Sequence, residues 1–155
     1  MSEFAQFREI NGKLNKKFNL LRKPNLRESS ESFRKLSSEL KPFPEYAGYC
    51  MFSAAKCEHQ IVQALKEQLQ SSSSATGTTS PLTRTHIGLD RLLQASQLAE
   101  FQTWLETARI YKQGSEEDFN AVISSYAHAI QTCPSESLLA VVLAEFASLY
   151  KEHRR

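Results

Sequence analysis

The chain has 155 residues, 41% of them hydrophobic, with a net charge of +2 at neutral pH. That is enough for one domain with a real core. The near-balance of charge gives no global signal for nucleic acid. No run approaches the roughly eighteen consecutive apolar residues of a membrane span, and the N-terminus lacks the uninterrupted apolar stretch of a signal peptide.

The spacing predicts a first helix over about Glu3 to Leu21, because Phe4, Phe7, Ile10, Leu14, Phe18 and Leu21 recur at steps of three and four. Lys23-Pro24 ends it, since proline lacks an amide donor and restricts the residue before it. Asn25 is a good N-cap for a second helix, and Glu28 stands at the capping-box position. Leu26, Phe33, Leu36 and Leu40 give its apolar side, and Lys41-Pro42-Phe43-Pro44 stops it. Pro44 or Glu45 then opens a third helix that reaches about Gln70. Its small side carries Ala47, Cys50, Ala54 and Cys57, bordered and extended by Tyr46, Tyr49, Phe52, Ile61, Leu65 and Leu69. Small side chains let a neighbouring backbone come close, as stacked helical repeats require.

Ser71 to about Arg84 has no large apolar anchor over most of its length and reads as a flexible Ser/Thr-rich insert. A fourth helix is expected from about Ile87 to Gln113. Leu89, Leu92, Leu93, Leu98, Phe101, Leu105, Ala108 and Tyr111 form its buried side, Trp104 lies near the edge, and Gly114 follows its end. Ser115 fits an N-cap with Glu116, Glu117 and Asp118 in the first turn of a fifth helix that runs to Pro134. Ser135 or Ser137 caps a sixth, containing Leu138, Leu139, Val142, Leu143, Phe146 and Leu149. The domain reading is residues 1–70 as N-terminal helices, 71–84 as insert, and 85–155 as a helical hairpin plus a terminal helix.

Tyr126, Ala129 and Pro134 follow the spacing of the second helix of a tetratricopeptide motif, with Val122 departing at the earlier small position. Trp104 and Tyr111 lie seven apart as in its first helix, with Ala108 where glycine is usual. The expected fold is therefore all-α, with tetratricopeptide-like hairpins forming a short right-handed solenoid. An ordinary helical hairpin is the alternative.

Chemistry-bearing patterns are sparse. His59, His86, His128 and His153 fall on separate elements, and no zinc spacing, phosphate loop or nucleophile elbow occurs. Asp90 and Glu100 read as members of mixed-charge surfaces. Cys50, Cys57 and Cys133 fit small buried residues in a reducing compartment. The expectation is a protein with no catalytic site, no cofactor and no metal. Between Lys13 and Arg27 stand six basic residues and no acid: Lys13, Lys16, Lys17, Arg22, Lys23 and Arg27. Such a patch is either a solvated helix face or a docking surface for an acidic protein, phosphate or anionic lipid. Phe7, Phe18, Leu21 and Phe33 are either local packing residues or anchors for a partner.

The stretch Lys13 to Leu40, and within it Leu21-Arg22-Lys23-Pro24-Asn25 between Phe18 and Phe33, resembles the N-terminal signature of the forty-kilodalton huntingtin-associated protein family. Tyr46-Ala47-Gly48-Tyr49-Cys50, Ala55-Lys56-Cys57 and the region Leu105 to Tyr111 are also similar. Asn19-Leu20, the Ser/Thr-rich insert and the early end of the chain depart from the family pattern, so the chain reads as a short form or fragment of an invertebrate relative. The resemblance implies an all-helical adaptor that binds huntingtin and is linked to early endosomes through a Rab-class small GTPase. The lack of a membrane span and of a signal-peptide pattern makes a cytosolic location the default expectation, with nuclear entry open. A membrane-associated trafficking adaptor independent of huntingtin is the alternative.

Overall fold

A computed structural model describes residues 2–15, 25–74 and 82–154. Among them are six α-helices and no strand: α1 (Glu3–Asn15), α2 (Leu26–Glu39), α3 (Pro44–Ser74), α4 (Leu82–Tyr111), α5 (Phe119–Thr132) and α6 (Glu136–His153), with a 3₁₀ turn at Glu116–Asp118. All six predicted helices are present. The end expected for the first, and Phe18 and Leu21 with it, lie outside the described residues.

Local signals set the helix boundaries. The Asn25 side chain accepts from the Glu28 amide at 3.3 Å, while its own amide donates to the Glu28 carboxylate at 3.1 Å. The two residues thus cap reciprocally, side chain to side chain on the return. Pro44 begins α3, where a missing amide hydrogen costs nothing. Ser135 caps α6 by accepting from the Leu138 amide at 3.3 Å. Ser115 makes no such bond, and the chain enters α5 through the 3₁₀ turn.

Both long central helices extend past their expected ends into the insert. α3 continues to Ser74 and α4 starts at Leu82. Ser71 and Ser72 donate to the carbonyls of Glu67 and Gln68, four residues back, and so satisfy their hydroxyls without leaving the helix. Residues 75–81 of the expected insert lie outside the described residues.

Successive helices pack antiparallel. Ser37 and Ser30 of α2 meet Ala47 and Glu58 of α3, in opposite order. Tyr126 and Phe119 of α5 meet Phe146 and Tyr150 of α6 in the same reversed sense. Helices two apart also touch. Arg34 of α2 reaches Thr103 and Glu106 of α4, Arg109 of α4 pairs with Glu145 of α6, and Phe4 and Phe7 of α1 lie on Tyr46 and Tyr49 of α3.

Two apolar clusters result. One joins Phe33 to Met51, Ala54 and Cys57, with Phe7, Ile10 and Leu14 laid over it. The other runs from Ala55 through Phe101, Trp104, Ala108 and Tyr126 to Val142 and Leu149. The small side of α3 is buried as expected at Ala47, Cys50, Ala54 and Cys57. At Gly48 an added Cβ would stand 2.6 Å from the Tyr111 ring, so this glycine is required by the approach of α4.

The buried side of α4 differs from the expected stripe. Leu92 and Leu98 are exposed, whereas Ser96, Glu100, Thr103 and Thr107 are buried. The reason is that hydroxyl and carboxylate groups on this helix find partners: Thr103 and Thr107 donate to the carbonyls of Ala99 and Thr103, and Glu100 meets His59 Nδ1 at 2.7 Å. Glu100, 3% exposed, is therefore interior. Trp104 is also interior, with an edge contact to Phe52 at 5.2 Å and a stacked His128 at 4.3 Å.

Candidate protein-binding groove

The described part of the basic patch gathers no site. Lys13 is exposed and pairs with Glu9, one turn away, at 3.0 Å. That hydrogen bond, with the attraction of the same carboxylate, raises the Lys13 ammonium above its ordinary range. Arg27 is exposed on the first turn of α2. Phe33 is 1% exposed and serves the core. Lys16, Lys17, Phe18, Leu21, Arg22 and Lys23 lie outside the described residues.

A different feature stands out at the end of the stack where α1 and α3 begin. The chain between α2 and α3 is held by the Phe43 amide donating to the Leu40 carbonyl at 2.8 Å. This tight turn, with a proline on each side, turns Phe43 outward. On α3, Tyr46 and Tyr49 follow at helical spacing, and α1 lays Phe4 and Phe7 beside them. Phe4 meets Tyr46 edge-on at 5.1 Å, and Phe7 meets Tyr49 at the same separation. The result is a groove of about 670 Å³, floored further by Leu40, Cys50, Tyr111 and Ala121.

Its rings are open to solvent: Phe4 and Phe43 are each 58% exposed, Tyr49 54% and Tyr46 45%. Clustered exposed aromatic surface is unusual outside interaction sites. The charged groups of the lining are the carboxylates of Glu3, Glu45 and Asp118, and no basic side chain takes part among the described residues. Asp118 Oδ2 is buried and has no hydrogen-bond partner among the described residues. Burial, and then the Asp118 charge, push the Tyr111 hydroxyl up to about 12. The groove continues into a second hollow of about 310 Å³ that shares Phe43, Glu45 and Tyr46 and adds Gln113, Gly114 and Ser115.

Sequence reasoning missed the groove. It read Phe43 as part of a stop signal and the two tyrosines as borders of a buried side. The available signal was the recurrence of aromatics at Phe43, Tyr46 and Tyr49 across a helix start, more ring surface than one turn of a hairpin needs for its own packing.

A second apolar region lies on α6. Val142 and Leu149 face the core, but Leu138, Val141, Leu143 and Tyr150 on the two flanks are exposed. Cys50 and Cys57 are buried, and burial raises both thiols to about 11. They therefore stay protonated at neutral pH and act as small apolar side chains. Among the described residues, no three His, Cys, Asp or Glu side chains gather into a metal site, and no helix is long and apolar enough to cross a membrane.

Comparison with family models, curated proteins and solved structures found no match.

Proposed function

We propose that this protein is a non-catalytic adaptor of tetratricopeptide-like hairpins that docks another protein in the aromatic groove. The observation that carries this reading is the exposure of Phe4, Phe43, Tyr46 and Tyr49 around one apolar trough. Aromatic side chains are rigid, bury large areas and dominate binding energy at protein interfaces. The antiparallel neighbours and the contacts between helices two apart support stacked hairpins, each leaning on the next, as in a tetratricopeptide-like solenoid. The open flanks of α6 suit a further helical element packing at that end.

The sequence resemblance supplies the partner: huntingtin, with a link to early endosomes through a Rab-class GTPase. Helical-repeat surfaces bind by shape-matched apolar contact, so exposed charge pairs contribute less than about 1 kcal/mol each. Fully burying each aromatic anchor contributes about 1.5–3 kcal/mol.

The test is co-elution of the purified chain with huntingtin on size-exclusion chromatography, followed by titration. The Phe43→Ser/Tyr46→Ser variant should weaken association at least about tenfold, with the helical circular-dichroism signal retained. Full affinity in that variant, or no association of the intact chain, would overturn the reading.

A further inference from the structure

We infer that the occupant of the groove is an amphipathic helix carrying lysine or arginine beside its apolar stripe. The inference rests on the protein-binding reading and adds the chemistry of the partner segment.

The first support is shape. Phe4 lies on Tyr46 and Phe7 on Tyr49, so α1 and α3 run in the same direction with their side chains in matched register, one turn apart. Two parallel helices in register leave a trough with bumps at helical spacing. A third helix fits such a trough through side chains three, four and seven residues apart. The rings are about half exposed along the trough, and the hollow beside Gly114 extends it. A small ligand would remain largely in water here, whereas small-molecule sites enclose most of their ligand.

The second support is charge. Glu3 stands on α1, Glu45 on α3, and Asp118 at the entry to α5, so three separate elements bring carboxylates to one apolar trough. Lys56, 4.9 Å from the Phe52 ring centre, does not line the groove itself but an adjoining cavity that shares Phe7 and Tyr49 with it. Asp118 lines the trough floor and adds its negative charge there, beside Glu3 and Glu45 on the rim. Cations also sit favourably on the faces of exposed tyrosine and phenylalanine rings. An acidic segment or an anionic lipid surface would meet repulsion from all three carboxylates.

The test uses the full chain, isotope-labelled for NMR, and two synthetic helical peptides of equal length. Both carry a leucine stripe, flanked by lysines in one and glutamates in the other. The lysine peptide should shift the amides of Tyr46, Tyr49 and Gly114 and bind at least about tenfold more tightly than the glutamate peptide. Added salt should narrow that difference. Glu3→Lys/Glu45→Lys should invert the preference, Glu45→Gln should reduce it, and Phe43→Ser/Tyr46→Ser should weaken both peptides.

Equal affinity for the two peptides, binding of neither, or shifts confined to other helices would overturn the inference. So would a concentration-dependent dimer abolished by Phe43→Ser, which assigns the groove to a second copy, or binding of phosphatidylserine vesicles through the same amides. If the lysine peptide binds as expected but huntingtin does not, the partner named above is wrong and the groove chemistry stands. If huntingtin binds through the groove with no preference between the peptides, the reverse holds.

Discussion

Glu145 holds three elements together. Its carboxylate accepts from Arg109 Nε at 2.9 Å and Nη2 at 2.7 Å on α4, and from the Tyr126 hydroxyl at 2.7 Å on α5. The Arg109 hydrogen bonds hold Glu145 below its ordinary value of 4.5, although partial burial opposes them. Burial, and then the bond to Glu145, push the Tyr126 hydroxyl well above its ordinary range. Glu145→Leu would leave the buried Tyr126 hydroxyl without its acceptor, so urea denaturation should show a loss of about 1–3 kcal/mol. Arg109 is half exposed, which keeps its own share small. Glu145→Gln keeps an acceptor for Tyr126 and removes only the charge. Because the folded value is depressed, the charge contributes fully above pH 4.5 and is lost as pH falls through the folded value. The stability gap between wild type and Glu145→Gln should therefore close on acidification below that point. A gap that is the same at neutral and acid pH would show that the charge contributes nothing.

At the scale of elements, glycines separate packing from propensity. Gly48→Ala gains roughly 1 kcal/mol of helix propensity. It also places a methyl group within 2.6–2.9 Å of three atoms of the Tyr111 ring, itself held against α3. Overpacking of this kind costs about 1–3 kcal/mol, so the variant should be no more stable than wild type and is expected to melt lower. Gly12→Ala and Gly88→Ala meet nothing within 4 Å and should each stabilise by about 0.5–1 kcal/mol. Thermal melts of the three variants check both signs. The helices themselves were legible because their signals are local. Asn25, Pro44, Ser135 and the Pro134 stop act on their own backbone within four residues. The face of α4 was not legible. Glu100, Thr103 and Thr107 are buried because His59, Arg34 and the helix carbonyls satisfy them, and no hydrophobicity pattern marks a polar group whose partner comes from another helix.

Across the whole molecule, burial is uneven. The α3–α5 region contains Ala54, Ala55, Trp104, Ala108, Tyr126 and Ala129, all buried, while α1 is attached by Phe7, Ile10 and Leu14, each only partly buried. Amides of α1 should exchange with solvent well before those of α3 and α4 in native-state hydrogen exchange, because local opening there breaks few apolar contacts. Seating a helix in the groove should slow exchange in α1 specifically, since Phe4 and Phe7 form one of its walls. Protection of α1 equal to that of α4 in the free chain would contradict this distribution of stability.

The order of the helices, most of their caps and the small side of α3 were determined by the sequence alone, since these depend on residues within a turn or two of each other. The tertiary structure decided which side chains the neighbours left uncovered. Phe4 and Phe33 each lie on the apolar stripe of their own helix, yet Phe33 is sealed by α1 and α3 while Phe4 stays open. Amphipathic spacing says that a face seeks cover. Only the arrival, or absence, of another element says whether that cover comes from the same chain or is left for a partner.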